Sequence, residues 1–172
     1  IDLPFKLDGT MSVISIETLF RAEMYHSLSE TDRSFLLIEL KHAIQKQLGH
    51  SIWACQMSDH ILSCIVQLRL YPAGAHEVAE QIMNLSIAYN RYFRTVVSVG
   101  DEVGGVTELK TAYLSSMKYL KLKSFSAENE VVGRRLDAKY EESSLYDGYL
   151  SREEMNRYIN VLRSNDRELF IT

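Results

Sequence analysis

Proline is almost missing from this sequence, with two residues in 172, and cysteine is equally scarce, with Cys55 and Cys64 alone. So little proline leaves no proline-rich linker or low-complexity stretch. Two cysteines are too few for a disulfide scaffold and lack the partners of a zinc site, so a reducing, cytoplasmic setting is expected. Basic charge is not in excess: 19 Lys and Arg stand against 23 Asp and Glu, a balance of −4 at pH 7. That balance removes any global attraction to nucleic acid or an anionic membrane. No apolar run reaches the roughly 20 residues of a membrane span, so no direct membrane contact by this segment is expected. What is present is 46% hydrophobic and 24% charged residues, enough to bury the core of one globular domain with a short appendage. The chain opens on Ile1 and closes on "RELFIT", and it reads as a segment of something longer.

The hydrophobic period switches repeatedly along the chain. "TMSVISIET", Thr10 to Thr18, alternates and is rich in β-branched residues, the pattern of a strand. From Ser29 to Gly49 the spacing of Phe35, Leu36, Leu40, Ala43, Ile44 and Leu48 predicts an amphipathic helix. Ser29 is its N-cap, with Asp32 three residues on. "SIWACQM" and "HILSCIVQL" are strands joined by a tight turn at Ser58-Asp59. Gly74 to Phe93 is a helix with Val78, Ile82, Leu85 and Tyr89 on one stripe. "TVVSVG" is a strand, Val106 to Lys123 a helix and "ENEVV" a short final strand. The order β-α-β-β-α-β followed by α-β is an α+β class. It is the split βαβ arrangement of ferredoxin-like folds, an antiparallel to mixed sheet with helices on one main face.

Strand alternation then assigns faces. If Met57 pairs with His60 across a two-residue turn, Trp53, Cys55, Leu62, Cys64, Val66 and Leu68 share the helix-covered face. On that register Trp53→Ala costs about 3–5 kcal/mol, and Cys55 and Cys64 are small core hydrophobes rather than a redox pair. The other face carries Ile52, Ala54, Gln56, Ile61, Ser63, Ile65 and Gln67, a mixture suited to partial exposure or a partner.

Glycine punctuates "VVSVGDEVGGVTELK" at Gly100, Gly104 and Gly105, but G-x-x-x-G-G is neither the dinucleotide nor the P-loop spacing. Asp101 and Glu102 also stand where a phosphate needs donors and positive potential. The loop reads as a strand ending at Gly100, a helix capped by Thr107, and Lys118, Lys121 and Lys123 favouring that helix's C-terminal end. His26, His42, His50, His60 and His76 follow no metal-ligand or triad spacing and read as surface or element-end residues.

The strand, S-x-G, loop and helix pattern of Ser98, Gly100, Leu109, Ala112, Tyr113, Ser116, Tyr119 and Leu120 resembles the closing elements of a known family. This is the degenerate GGDEF-like domain that precedes the DNA-binding domain of bacterial AraC-type transcriptional regulators, and the resemblance extends from about Thr10 to Val132. It implies a GGDEF-like regulatory domain over residues 1–133. Residues 134–172 would be a linker and a short helical element, with a Ser151/Glu154 capping box, leading toward a helix-turn-helix domain outside this chain. Active GGDEF domains condense two GTP molecules, using carboxylates to hold Mg²⁺ and a glycine-rich hairpin for close nucleotide approach. Here the corresponding turn reads "QMSDHIL", Gln56 to Leu62, without the glycines or the acidic pair. Asp59 is the one acid left in the turn, and Glu17 stands where the family places its metal-binding Asp. These two could meet at one edge around a cation, although single exposed acids more often form a solvated rim.

The resemblance therefore implies a signal-relay domain that is not an enzyme, with no catalytic, cofactor-binding or metal-ligating residue assigned. Its partners would be an upstream sensor region and the downstream helix-turn-helix domain of the same chain, with DNA reached only through that domain. A divergent nucleotide-binding or cyclase domain and a homodimerisation scaffold using the mixed sheet face are the alternatives.

Overall fold

The β-branched run of Met11–Phe20 (β1) fits a pleated surface enclosed on both sides, and it forms the centre of a five-stranded sheet. The computed structural model describes residues 9–123 and 128–134. After β1 come a short helix α1 (Ala22–Ser27), α2 (Glu30–Leu48), β2 (Ile52–Gln56), β3 (Ile61–Gln67), α3 (Ala75–Ser86), β4 (Phe93–Val99), α4 (Leu109–Leu120) and β5 (Glu130–Gly133). The sheet order is β2-β3-β1-β4-β5. The first four strands in that order pair antiparallel and β5 lies parallel to β4, which is the expected split βαβ core with an added α-β unit. The expected linker, capping box and helical element of 134–172 lie outside the described residues, save Arg134 itself.

Two helices cover one face of the sheet. Leu37, Leu40 and Ile44 of α2 and Val78 and Ile82 of α3 enclose Ile14, Ile16, Leu62, Val66 and Val97 in one fully buried cluster. The spacing of the buried α2 residues Leu37, Leu40, Ile44 and Leu48 follows the helical repeat. Phe35, expected in that stripe, sits two residues before Leu37, about 200° around the helix, and is 62% exposed. The start of α2 is as expected: Asp32 N donates to Ser29 Oγ at 3.1 Å and Ser29 N to Asp32 Oδ2 at 3.2 Å, a complete capping box. Ser29 Oγ also donates to Asp32 Oδ2 at 2.6 Å, and this bond first, with the Ser29 N one second, holds the Asp32 carboxyl below its usual range. The short helix α1 was not foreseen.

The opposite face is covered by α4, but only over β1, β4 and β5. Ala112 packs with Met11, Val13 and Val103, and Tyr119 and Leu120 pack with Val96 and Val132. Thr107 does not cap α4. The helix is entered through a single 3-10 turn at Val106–Glu108, and Glu108 at the N-cap makes no capping bond with its side chain.

The β2–β3 register differs by one residue from the expected one. Ser58, Asp59 and His60 form a three-residue turn closed by Met57 N donating to Ile61 O at 2.9 Å, so Gln56 faces Leu62, Ala54 faces Cys64 and Trp53 faces Ile65. A slip of one inverts the faces. Ile52 and Ala54, with Leu62, Cys64 and Val66, meet α2 and α3, while Trp53 and Cys55 turn to the other face and are only partly buried.

The same alternation points the even-numbered backbone groups of β2 outward from the sheet. There the Gln45 amide of α2 occupies them, its Nε2 donating to Ile52 O at 2.9 Å and its Oε1 accepting from Ala54 N at 3.2 Å.

Candidate functional site

The turn that the resemblance aligns with a nucleotide hairpin is docked on the end of β1. His60 O accepts from Thr18 N at 2.9 Å and from Thr18 Oγ1 at 3.2 Å. Beside it, His60 Nδ1 lies 2.6 Å from Asp59 Oδ1, and the hydrogen bond from His60 is the main reason the Asp59 carboxyl titrates below its usual range. Glu17 leans to the α4 side of the sheet, where Lys123 Nζ stands 2.8 Å from its Oε2. That oxygen is buried, and the Lys123 ammonium supplies the opposite charge beside it. The two acids that could have met at one edge have separate partners, Lys123 for Glu17 and His60 for Asp59. Among the described residues no group of three or more His, Cys, Asp or Glu is placed to hold a metal ion.

The loop after β4 is built by its own acids. Asp101 N donates to Ser115 Oγ at 2.8 Å, and Asp101 Oδ1 accepts from Tyr119 Oη at 3.1 Å. Glu102 Oε1 accepts from Ala75 N at 3.1 Å, so the positive N-terminal end of α3 is occupied by a carboxylate of this chain. Gly100 does end a strand, and closely: Gly100 N donates to Val13 O at 2.9 Å. A Cβ at Gly100 would overlap Ala112 O and come within 2.7 Å of Val13 O. The glycine serves close packing of β1, β4 and α4, Glu102 caps α3 and Asp101 ties the loop to α4.

Cys55 and Cys64 face opposite sides of the sheet, which removes the shared buried face expected of them. Cys64 lies among the α2 and α3 contacts, and burial pushes its thiol up to about 12. Of the histidines, His26 and His76 lie in end turns of α1 and α3, His50 follows α2, His60 is in the turn and His42 is exposed in mid-α2.

Sequence reasoning missed a polar row across the α4 face. Ser63, Ser15 and Ser98 are cross-strand neighbours. Ser63 Oγ lies 3.1 Å from Ser15 Oγ, and Ser15 Oγ lies 2.8 Å from Ser116 Oγ of α4. Ser98 Oγ donates to Ser116 O at 2.6 Å. Where the row leaves the cover of α4, Trp53, Met57, Ile65 and Tyr113 border an open groove that also reaches Ser63 and Lys110. Each serine was readable in its strand, but only the pairing of β3, β1 and β4 brings Ser63, Ser15 and Ser98 into line.

Among the described residues no helix is long and apolar enough to cross a membrane. No protein-family model matches the sequence, and no curated protein matches it. Solved structures do. The active GGEEF domain of a diguanylate cyclase from Vibrio cholerae superposes with a TM-score of 0.55 at 12% identity, over 73% of this chain and 83% of that one. A GGDEF domain from Pseudomonas aeruginosa superposes with a TM-score of 0.50 at 12% identity, over 73% and 77%. The element order, the central β1 and the added α4–β5 unit therefore make up a GGDEF-like fold.

Proposed function

We propose that this chain is a non-catalytic GGDEF-like module that relays a signal, between an upstream sensor region and a downstream helix-turn-helix domain, in a bacterial AraC-type transcriptional regulator. The hairpin edge carries the non-catalytic part of this reading. Glu17 is ion-paired with Lys123 and Asp59 is hydrogen-bonded to His60, so each carboxylate already has a partner within this chain. Met57 and Ser58 add side chains at a turn where close approach of a nucleotide favours glycine. The relay part rests on the likeness of Ser98, Gly100, Ala112, Tyr113 and Ser116 to the regulator pattern. It gains support from the work those residues do, since Gly100, Ala112 and Ser116 are the contacts that lock α4 to the sheet.

Titration calorimetry with GTP and Mg²⁺, run beside a product assay for the cyclic dinucleotide, tests the first part. Neither binding in the low-micromolar range nor turnover is expected. Turnover, or micromolar binding lost in Asp59→Ala, would put the cyclase reading first. A helix-turn-helix reading frame downstream in the parent gene is the expected context, and a downstream enzyme domain would replace the relay reading.

A further inference from the structure

The part of the sheet face that α4 leaves uncovered forms a groove of about 320 Å³, within the range of small-molecule sites. Trp53, Met57, Ile65 and Tyr113 are its apolar walls, Ser63 contributes to its floor, and Lys110, in the first turn of α4, stands at its rim.

The hydrogen-bond polarity of the floor follows from counting protons, since a hydroxyl has one to give. Ser116 Oγ donates its proton to Tyr113 O at 2.8 Å. In the arrangement in which Ser116 keeps that bond, Ser15 donates across its 2.8 Å contact with Ser116 Oγ and Ser63 across its 3.1 Å contact with Ser15 Oγ. Ser63, 7% exposed, is then left with acceptor lone pairs that no donor among the described residues fills, and a buried acceptor of that kind selects an N–H or O–H group. At the rim, Lys110 engages no carboxylate among the described residues, and the adjoining N-terminal turn of α4 adds to its positive potential.

We propose that this groove binds a small aromatic carboxylic acid carrying a hydroxyl or N–H at the end remote from the carboxylate. The ring lies against Trp53 and Tyr113, the donor reaches Ser63 Oγ and the carboxylate meets Lys110. The groove shares Met57 with the hairpin turn but uses neither Glu17 nor Asp59, so it does not depend on the relay reading.

Trp53 is the sole tryptophan of the chain, which makes its fluorescence a direct reporter. The 172-residue protein is titrated with 4-hydroxyphenylacetate, with phenylacetate, and with 4-hydroxyphenylacetamide. Saturable quenching is expected, strongest for the hydroxy acid. Removing the hydroxyl or the carboxylate should each weaken binding by about five- to tenfold, the value of one hydrogen bond or charged contact. Ser63→Ala should erase the preference for the hydroxyl, and the surface change Lys110→Gln the preference for the carboxylate, each leaving the other preference in place. No saturable quenching, equal affinity for the three probes, or preferences unchanged in both variants would each overturn the proposal.

Discussion

At the scale of single residues, burial depends on register more than on residue type. Tryptophan is large and apolar, yet Trp53 is only partly buried while Leu40 is fully enclosed. Leu40→Ala is therefore expected to cost about 2–5 kcal/mol, and Trp53→Ala clearly less than the 3–5 kcal/mol that a core position implies. Denaturant melts of the two variants side by side check this, and a Trp53 loss equal to that of Leu40 would contradict the register. Ser29→Ala should remove about 0.5–2 kcal/mol through loss of the α2 cap. Its partner Asp32 adds a pH dependence whose sign is fixed. Because the folded carboxyl titrates below its unfolded value, its contribution is present above the unfolded pKa and lost as pH falls through the folded one. The stability gap between wild type and Asp32→Asn should narrow on acidification below about pH 4. A gap that stays constant down to pH 2 would mean that the capping bond does not depend on charge.

Between elements, two contacts decide how the secondary structure assembles. Gly100 lets β4 end against Val13 O and Ala112 O at a distance that no side chain tolerates. Gly100→Ala must push α4 from the sheet or bend β1, and a loss of several kcal/mol is expected, beyond the ~1 kcal/mol that a glycine change ordinarily brings. Thermal melts give the size of the loss, and amide exchange in α4 rising before exchange in α2 would locate it. At the other edge, the Gln45 amide stands in for a neighbouring strand along β2, the kind of cover that keeps an edge from pairing with a second copy. Gln45→Ala should lower stability by about 1–3 kcal/mol for two hydrogen bonds and raise the apparent mass with concentration in light scattering. A variant that scatters like wild type at every concentration would assign edge protection to something other than Gln45.

For the whole molecule, charge and acid placement set the outlook. With 19 basic against 23 acidic residues, the 172-residue segment is expected not to bind DNA selectively, and a mobility-shift titration at several salt concentrations tests this. Sequence-selective, salt-sensitive retention would show a nucleic-acid surface that net charge conceals. The GGDEF-like fold is shared with domains at 12% identity, so what persists is the element order and central β1 rather than any side-chain set. Function therefore has to be sought in local sites on that fold, the hairpin edge with its partnered acids and the serine-floored groove.

Sequence alone determined most elements because each signal was local. Ser29 and Asp32 mark a helix start within one turn, β-branched alternation marks β1, and the switch of period between Phe93 and Leu120 separates β4 from α4. The turn composition Met57-Ser58-Asp59-His60 likewise shows in the sequence that this turn holds no glycine. What only the tertiary structure decided were quantities that depend on parity and on partners distant in sequence. One extra residue in the turn moved Trp53 and Cys55 to the opposite face, because strand faces alternate with a period of two. Lys123 reached Glu17 across 106 positions of chain, and Ser63, Ser15 and Ser116 lined up from three elements. No local propensity encodes such meetings; they follow from how β3, β1 and α4 pack.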